Sequence, residues 1–380
     1  RALAAGLATY PERRAPVGPS LDGGALVVLG ALAPIWVERG LSRLARAGYR
    51  RLTGEDVAGP LRRRVSMLGH GAELLGLVGG LYAFGAFVYR RAEARFGVPD
   101  GSRSGPPAAA GSSGSPGSAV DWRLLTREPR RHLAGTRRAA TISMVMGEPA
   151  IDPLRLYVGL TSAPTLQARV ELAMRELDRS GALDRSLLVL CSPTGTGYVN
   201  HAAVASWEYL ARGDCASLTM QYSVRPSPMS LDRVDDGREQ NRAVWAALAQ
   251  RLREREVGRR PRVALFGESL GAHTSQDAFL HQGTEGLRRA MVDRALWLGT
   301  PYASAWPREI GVREPGRVCP DGVLRLTGAD AIDELDPTDA QAARYVLIEH
   351  GDDAIALFGP ELLVREPSWL SARRHDAVPG

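Results

Sequence analysis

At 380 residues the chain is long enough for two domains, and with 44% hydrophobic and 24% charged residues it has the balance of a folded protein, which excludes a wholly disordered or fibrous chain. All 48 basic residues are Arg, and the net charge is +6. So many guanidinium groups admit phosphate or nucleic-acid binding, but they are mixed with 42 acidic residues and no nucleic-acid motif accompanies them, so nucleic acid is not expected as a partner and the Arg bias is read as that of a GC-rich genome.

Two apolar stretches open the chain. Gly23 to Val37 carries no charge but contains Pro34, and Val65 to Tyr89 carries only Glu73 as an acid and ends on Arg90-Arg91. The second has the roughly 20 residues a membrane helix needs, with basic residues placed as an interfacial anchor. Residues 1–98 are therefore expected to form an N-terminal helical, transmembrane region, with a pair of buried soluble helices as the alternative. The denser Arg cluster between the stretches favours a cytoplasmic loop there. Pro99 to Ala119 is a Gly/Ser/Pro/Ala tract without apolar periodicity, and Asp121 to Ala140 is Arg-rich, so 99–145 is expected to be a flexible linker.

From Arg155 the pattern changes. Short apolar runs at Leu156–Leu160, Ser186–Leu190, Ser217–Tyr222, Arg262–Phe266, Arg294–Leu298 and Tyr345–Ile348 read as strands. Between them, Thr165–Ser180, Ala202–Arg212, Gly237–Glu256 and Leu270–Gln282 read as helices. Alternation at this spacing predicts an α/β domain with a mostly parallel sheet covered on both faces. Cys191, Cys215 and Cys319 are too few and scattered for a disulfide framework or a metal set, and the first two lie in apolar runs, where they are expected to be buried. No metal or organic cofactor is implied.

The chemistry concentrates on Gly267-Glu268-Ser269-Leu270-Gly271, a G-x-S-x-G turn with an apolar strand before it and a helix after it. That context is what a nucleophile elbow requires: the glycines let a strand turn sharply into a helix and lift the Ser269 hydroxyl above the sheet edge. The alternative is a turn of purely structural use. An acyl-transfer site also needs donors for the oxyanion. One is expected from the N–H of Leu270, the other from the Gly-rich loop Ser192–Tyr198, with Thr194, Gly195 and Thr196 as the candidates. That loop has no G-K-[ST] signature of a phosphate cradle; an ordinary Gly turn is the remaining alternative. The acid is expected after a later strand, at Asp353, with Asp352 as the substitute; Asp330, Asp333 and Asp336 lie in a more helical, solvated stretch. For the base, chain order leaves only His375 after Asp353, in a charged segment. His201, His273 and His350 read as structural or pocket-lining, so the catalytic His is expected beyond residue 380.

Several segments together resemble the bacterial membrane-linked α/β-hydrolase family: Arg155–Leu160, Glu176–Ala182, Pro193–Gly197, Gly213-Asp214 before Gln221-Tyr222-Ser223, the elbow itself, and Glu366–Leu370. The resemblance covers roughly Met146 to the end. It implies an α/β-hydrolase fold over 146–380, truncated at its C-terminus, preceded by N-terminal membrane helices in a bacterial cell membrane. It also implies a serine hydrolase that forms an acyl-enzyme on Ser269 from a carboxylic ester, lipid-like in view of the anchor. A thioesterase or acyltransferase on the same site, or a non-catalytic membrane-tethered module, are the rival readings.

Overall fold

The computed structural model describes residues 111–311, 315–328 and 330–350, together with 43, 47–52, 78–91, 94–95, 97–98, 105–107 and 109. Contacts divide the chain into two units, one within Pro11–Ala94 and one that contains everything from Arg95 onward. In the first unit residues 78–91 are helical, with Val78, Leu81, Tyr82, Phe84 and Phe87 exposed. Among the described residues no helix is long and apolar enough to cross a membrane. The expected transmembrane helices are therefore not supported there; Gly23–Val37 and residues 65–77 lie outside the described residues.

The second unit is built on seven strands: β1 (Leu154–Val158), β2 (Leu187–Ser192), β3 (Cys215–Met220), β4 (Arg262–Glu268), β5 (Arg294–Leu298), β6 (Val323–Leu326) and β7 (Tyr345–Ile348). They lie in the order β1-β3-β2-β4-β5-β7-β6, and every pairing is parallel, as the alternating pattern predicted. In chain order the helices are α1 (Arg127–Ala134), α2 (Ala139–Met146), α3 (Leu166–Ser180), α4 (His201–Leu210), α5 (Val234–Glu254), α6 (Leu270–Gln276), α7 (Gly283–Arg289), α8 (Trp306–Glu309) and α9 (Pro337–Ala342).

Strand alternation sorts the core into two layers. Leu188, Leu190, Val263 and Leu265 face a cluster with Leu177 of α3, Trp245 and Leu248 of α5, and Ala272 of α6. Val189, Cys191 and Phe266 face the opposite cluster, with Val204 and Trp207 of α4. Cys191 and Cys215 are both buried, and burial pushes the Cys191 thiol up to about 12. Helix α3 carries its own start and stop signals. Thr165 caps α3 by accepting from the Ala168 N–H at 3.1 Å, and Gly181, at φ 67°, ends it in a left-handed turn.

The expectation of a flexible linker over 99–145 fails for its described part from Gly111 onward. Ser112 and Ser113 are fully buried beside β1. The Ser113 N–H donates to the Arg155 carbonyl at 3.1 Å, and the Ser113 hydroxyl both donates to Glu176 Oε2 (2.8 Å) and accepts from the Tyr157 N–H (3.1 Å). Small hydroxyl residues that look like spacer by composition here satisfy the open edge of β1 and the buried Glu176 carboxylate. The Arg-rich stretch after them forms α1 and α2. The guanidinium of Arg155, buried with Glu208 at 2.7 Å, also donates to the His132 carbonyl of α1 at 2.6 Å and so fastens that helix to the sheet.

His132 is itself buried, and burial, together with Arg155, holds its imidazole well below the usual histidine range. The folded protein therefore keeps it neutral while the unfolded chain protonates it near pH 6.5, so its contribution is present above that pH and is lost as pH falls. Urea midpoints for the wild type should drop between pH 7.5 and 5, and His132→Gln should show a flatter dependence; parallel curves would contradict the assignment.

Candidate active site

In an all-parallel sheet every strand ends on the same edge. The chain runs from β2 outward to β3 on one side and from β4 outward to β5 on the other, so the order reverses between β2 and β4. Open α/β sheets form their ligand crevice at such a switch point, beyond the carboxyl ends of the strands. Here those two ends carry the Ser192–Tyr198 loop and Ser269, brought together by the β2–β4 register that pairs Ser192 with Gly267.

Ser269 occupies the turn between β4 and α6 with φ 53° and ψ −123°, a conformation that non-glycine residues avoid. It is held there from two directions. Its N–H donates to the Leu298 carbonyl of β5 at 2.9 Å, and its carbonyl accepts from the His273 N–H of α6 at 3.1 Å. The two flanking glycines are required by contact. A Cβ on Gly267 would lie 2.8 Å from the Gly271 carbonyl oxygen and 2.9 Å from the Ala272 backbone. A Cβ on Gly271 would strike the Ser192 carbonyl oxygen and lie 2.9 Å from that of Pro193. The elbow thus packs backbone to backbone against the end of β2. The Ser269 side chain is half-buried, and its hydroxyl has no hydrogen-bond partner among the described residues.

The loop after β2 is a tight turn in which the Gly197 N–H donates to Thr194 O (2.9 Å) and the Thr194 N–H to Tyr198 O (2.9 Å). Of the three expected donors, Thr194 therefore has its N–H committed within the turn. The Gly195 N–H reaches Ser227 Oγ at a long 3.3 Å, and the Thr196 N–H has no partner among the described residues. Leu270 is buried and opens α6, where a first-turn N–H has no acceptor within the helix. At the far end of the loop Asn200 uses both ends of its amide. Oδ1 accepts from the N–H groups of Ala202 and Ala203 (3.0 and 3.2 Å), capping α4, and Nδ2 donates to Glu268 Oε1 at 3.2 Å. This ties the loop to the residue before Ser269, a role that the sequence reading assigned to no residue.

Leu298 and Ile348 stand level with Glu268 across β5 and β7, so the chain leaving β7 emerges on the same edge, two strands from Ser269. Asp352 and Asp353, the expected acids, lie just past this point and outside the described residues, as does His375. Asp330, Asp333 and Asp336 are exposed, Asp336 capping α9, in line with the solvated stretch read from the sequence. His273 is buried on α6 with Nε2 3.2 Å from Asp277 Oδ2. Burial pushes the Asp277 carboxyl up, but hydrogen bonds from His273, the Trp306 N–H and Ser304 outweigh it and hold it below the ordinary range. This network fastens the loop after β5 to α6 and leaves His273 a structural role. His350 lies against Gly328 on the loop leaving the outermost strand β6, and His201 opens α4 with Nδ1 3.3 Å from the Tyr198 hydroxyl.

A parallel sheet with a strained, half-exposed serine at its switch point is the frame of a hydrolase. The family model described as the alpha/beta-hydrolase family matches residues 154–379, more than half of the chain, and the chain belongs to that family. Comparison with curated proteins gave no match, and comparison with solved structures gave none.

Proposed function

We propose that this α/β-hydrolase is a serine hydrolase that cleaves carboxylic esters through an acyl-enzyme on Ser269. The observation that carries the reading is the backbone of Ser269: a positive φ is kept at a residue that is not glycine, where strain of about 1–3 kcal/mol persists only if the surroundings enforce it. In this reading the hydroxyl attacks the carbonyl carbon and its proton passes to a histidine. The C–O bond to the leaving alcohol breaks as that histidine returns the proton, and water then releases the acid by the same steps. The N–H groups of Leu270 and Thr196 take the oxyanion, with Gly195 beside them. Asp353 orients the histidine, a role supported by the exit of β7 on the edge that bears Ser269. Among the described histidines His273 is paired with Asp277 and His350 leans away toward β6, which supports a base outside the described residues. Association with a membrane and a lipid-like substrate belong to the same proposal; their support is the apolar N-terminal stretches and the exposed apolar side chains of residues 78–91.

Rapid mixing of the full-length protein with a chromogenic ester tests this. An initial burst of about one equivalent of alcohol per chain is expected, followed by slower turnover. Adding a second alcohol separates hydrolysis from acyl transfer by the product formed. Absence of both burst and turnover across short- and long-chain esters and thioesters would overturn the proposal in favour of a binding module.

A further inference from the structure

We infer that Gln221 and Tyr157 are positioning residues that hold the Thr194–Gly197 turn in the form that binds the oxyanion; this rests on the role proposed above for that turn. Gln221 follows β3 directly and is fully buried. A primary amide is costly to bury unless its groups are paired, and this one is paired to three separate segments. Nε2 donates to the Thr196 carbonyl at 3.0 Å, Oε1 accepts from the Leu160 N–H at 3.3 Å, and the Thr126 hydroxyl lies 3.4 Å from both amide atoms. Tyr157, the fourth of the five residues of β1 and also fully buried, donates its hydroxyl to the Gly197 carbonyl at 2.6 Å. The two acceptors are successive carbonyls, so two consecutive peptide planes of the turn are pinned from beneath.

A second observation shows that the arrangement is built for close approach. Gly197 has φ 89°, and a Cβ placed on it would lie 2.6 Å from both Gln221 Nε2 and the Tyr157 hydroxyl. Only glycine leaves the room that these two polar groups occupy. Neither group reaches the reacting atoms. Both grip the carbonyl side of the turn whose Thr196 N–H is left without a partner among the described residues, and so act on the oxyanion through the backbone. A donor misplaced by a fraction of an ångström loses transition-state stabilisation with little effect on ground-state binding.

The test compares a chromogenic ester with its thionoester, whose larger and weaker acceptor sulfur draws less from an oxyanion site, using full-length protein. Tyr157→Phe, which deletes one oxygen, and Gln221→Leu should each lower kcat on the oxygen ester by about tenfold or more, less than the ~10²–10³ for losing a whole donor. KM should stay within about twofold, and the ratio of oxygen-ester to thionoester rates should fall in proportion to kcat. If Gln221→Leu does not fold, Tyr157→Phe decides. A folded Tyr157→Phe protein with unchanged kcat, or with equal losses on both esters, would overturn the positioning role alone. Ser269→Ala protein as active as wild type, or an inactive wild type, would overturn the site reading and this inference with it.

Discussion

Replacing Ser269 with Ala or Gly is expected to lower kcat/KM on a carboxylic ester by about 10⁴-fold or more, because the bond-forming oxygen is gone and only oxyanion binding remains. The two variants should part company in stability. Ala keeps the Cβ that makes φ 53° and ψ −123° unfavourable, so its unfolding midpoint should stay close to that of the wild type. Gly removes strain of about 1–3 kcal/mol and adds an unfolded-state entropy cost of about 0.5–1 kcal/mol. The net expectation is a Ser269→Gly protein about 1 kcal/mol more stable than wild type and inactive. Urea unfolding of the three proteins measures this, and a destabilised glycine variant would mean that the elbow is not under strain.

The second large effect concerns Gly271. Its Cβ would be driven into the carbonyl oxygens of Ser192 and Pro193, which are backbone atoms that no rotamer change can move. Gly271→Ala should therefore push α6 off the end of β2, at a cost of about 3 kcal/mol in stability, toward the upper end of overpacking effects. Ester hydrolysis should be lost as Ser269 and the Thr194–Gly197 turn separate. Gly258 provides the control: a Cβ there meets nothing within 4 Å, so Gly258→Ala should change stability by no more than about 0.5 kcal/mol. Equal unfolding midpoints for the two alanine variants would contradict the backbone-to-backbone packing described for the elbow.

The strands from Leu187 to Leu298 could be placed from sequence because a strand covered on both faces must be apolar at nearly every position, and runs such as Leu187-Leu188-Val189-Leu190 advertise that. The elbow was equally plain, since its function demands glycine at two fixed positions. What composition concealed were the segments whose role lies in pairing rather than in burying apolar surface. Ser113 and Ser118 read as linker because a hydroxyl that satisfies Glu176 looks no different in sequence from one that faces water. Short β6 was missed because Val323–Leu326 has only four residues, one of them Arg325, and α7 because Gly283–Arg289 is only about two turns long, rich in Gly and Arg, with Leu287 its one apolar side chain. The expected helix Leu270–Gln282 gives way at Asp277 to a 3₁₀ turn, Asp277–Phe279, where the Asp277 carboxylate turns to cap the loop after β5. At the site itself, chain order pointed to the loop after β2, yet choosing among Thr194, Gly195 and Thr196 needed the hydrogen bonds that commit Thr194 within the turn. Gln221 stood in a segment that carries the resemblance but with no role attached, and the tie from Asn200 to the elbow was not legible, because the partners that matter, Thr196 and Leu160 for Gln221 and Glu268 for Asn200, are distant in the chain.

In the reading proposed above, one serine, forced into an unfavourable backbone conformation at the sheet's switch point, is the nucleophile. Treatment of the full-length protein with a fluorophosphonate, followed by mass spectrometry of its peptides, addresses it most directly. A single phosphonyl adduct is expected on Ser269 and none on the Ser269→Ala protein. An adduct on another residue, or equal labelling of both proteins, would contradict it.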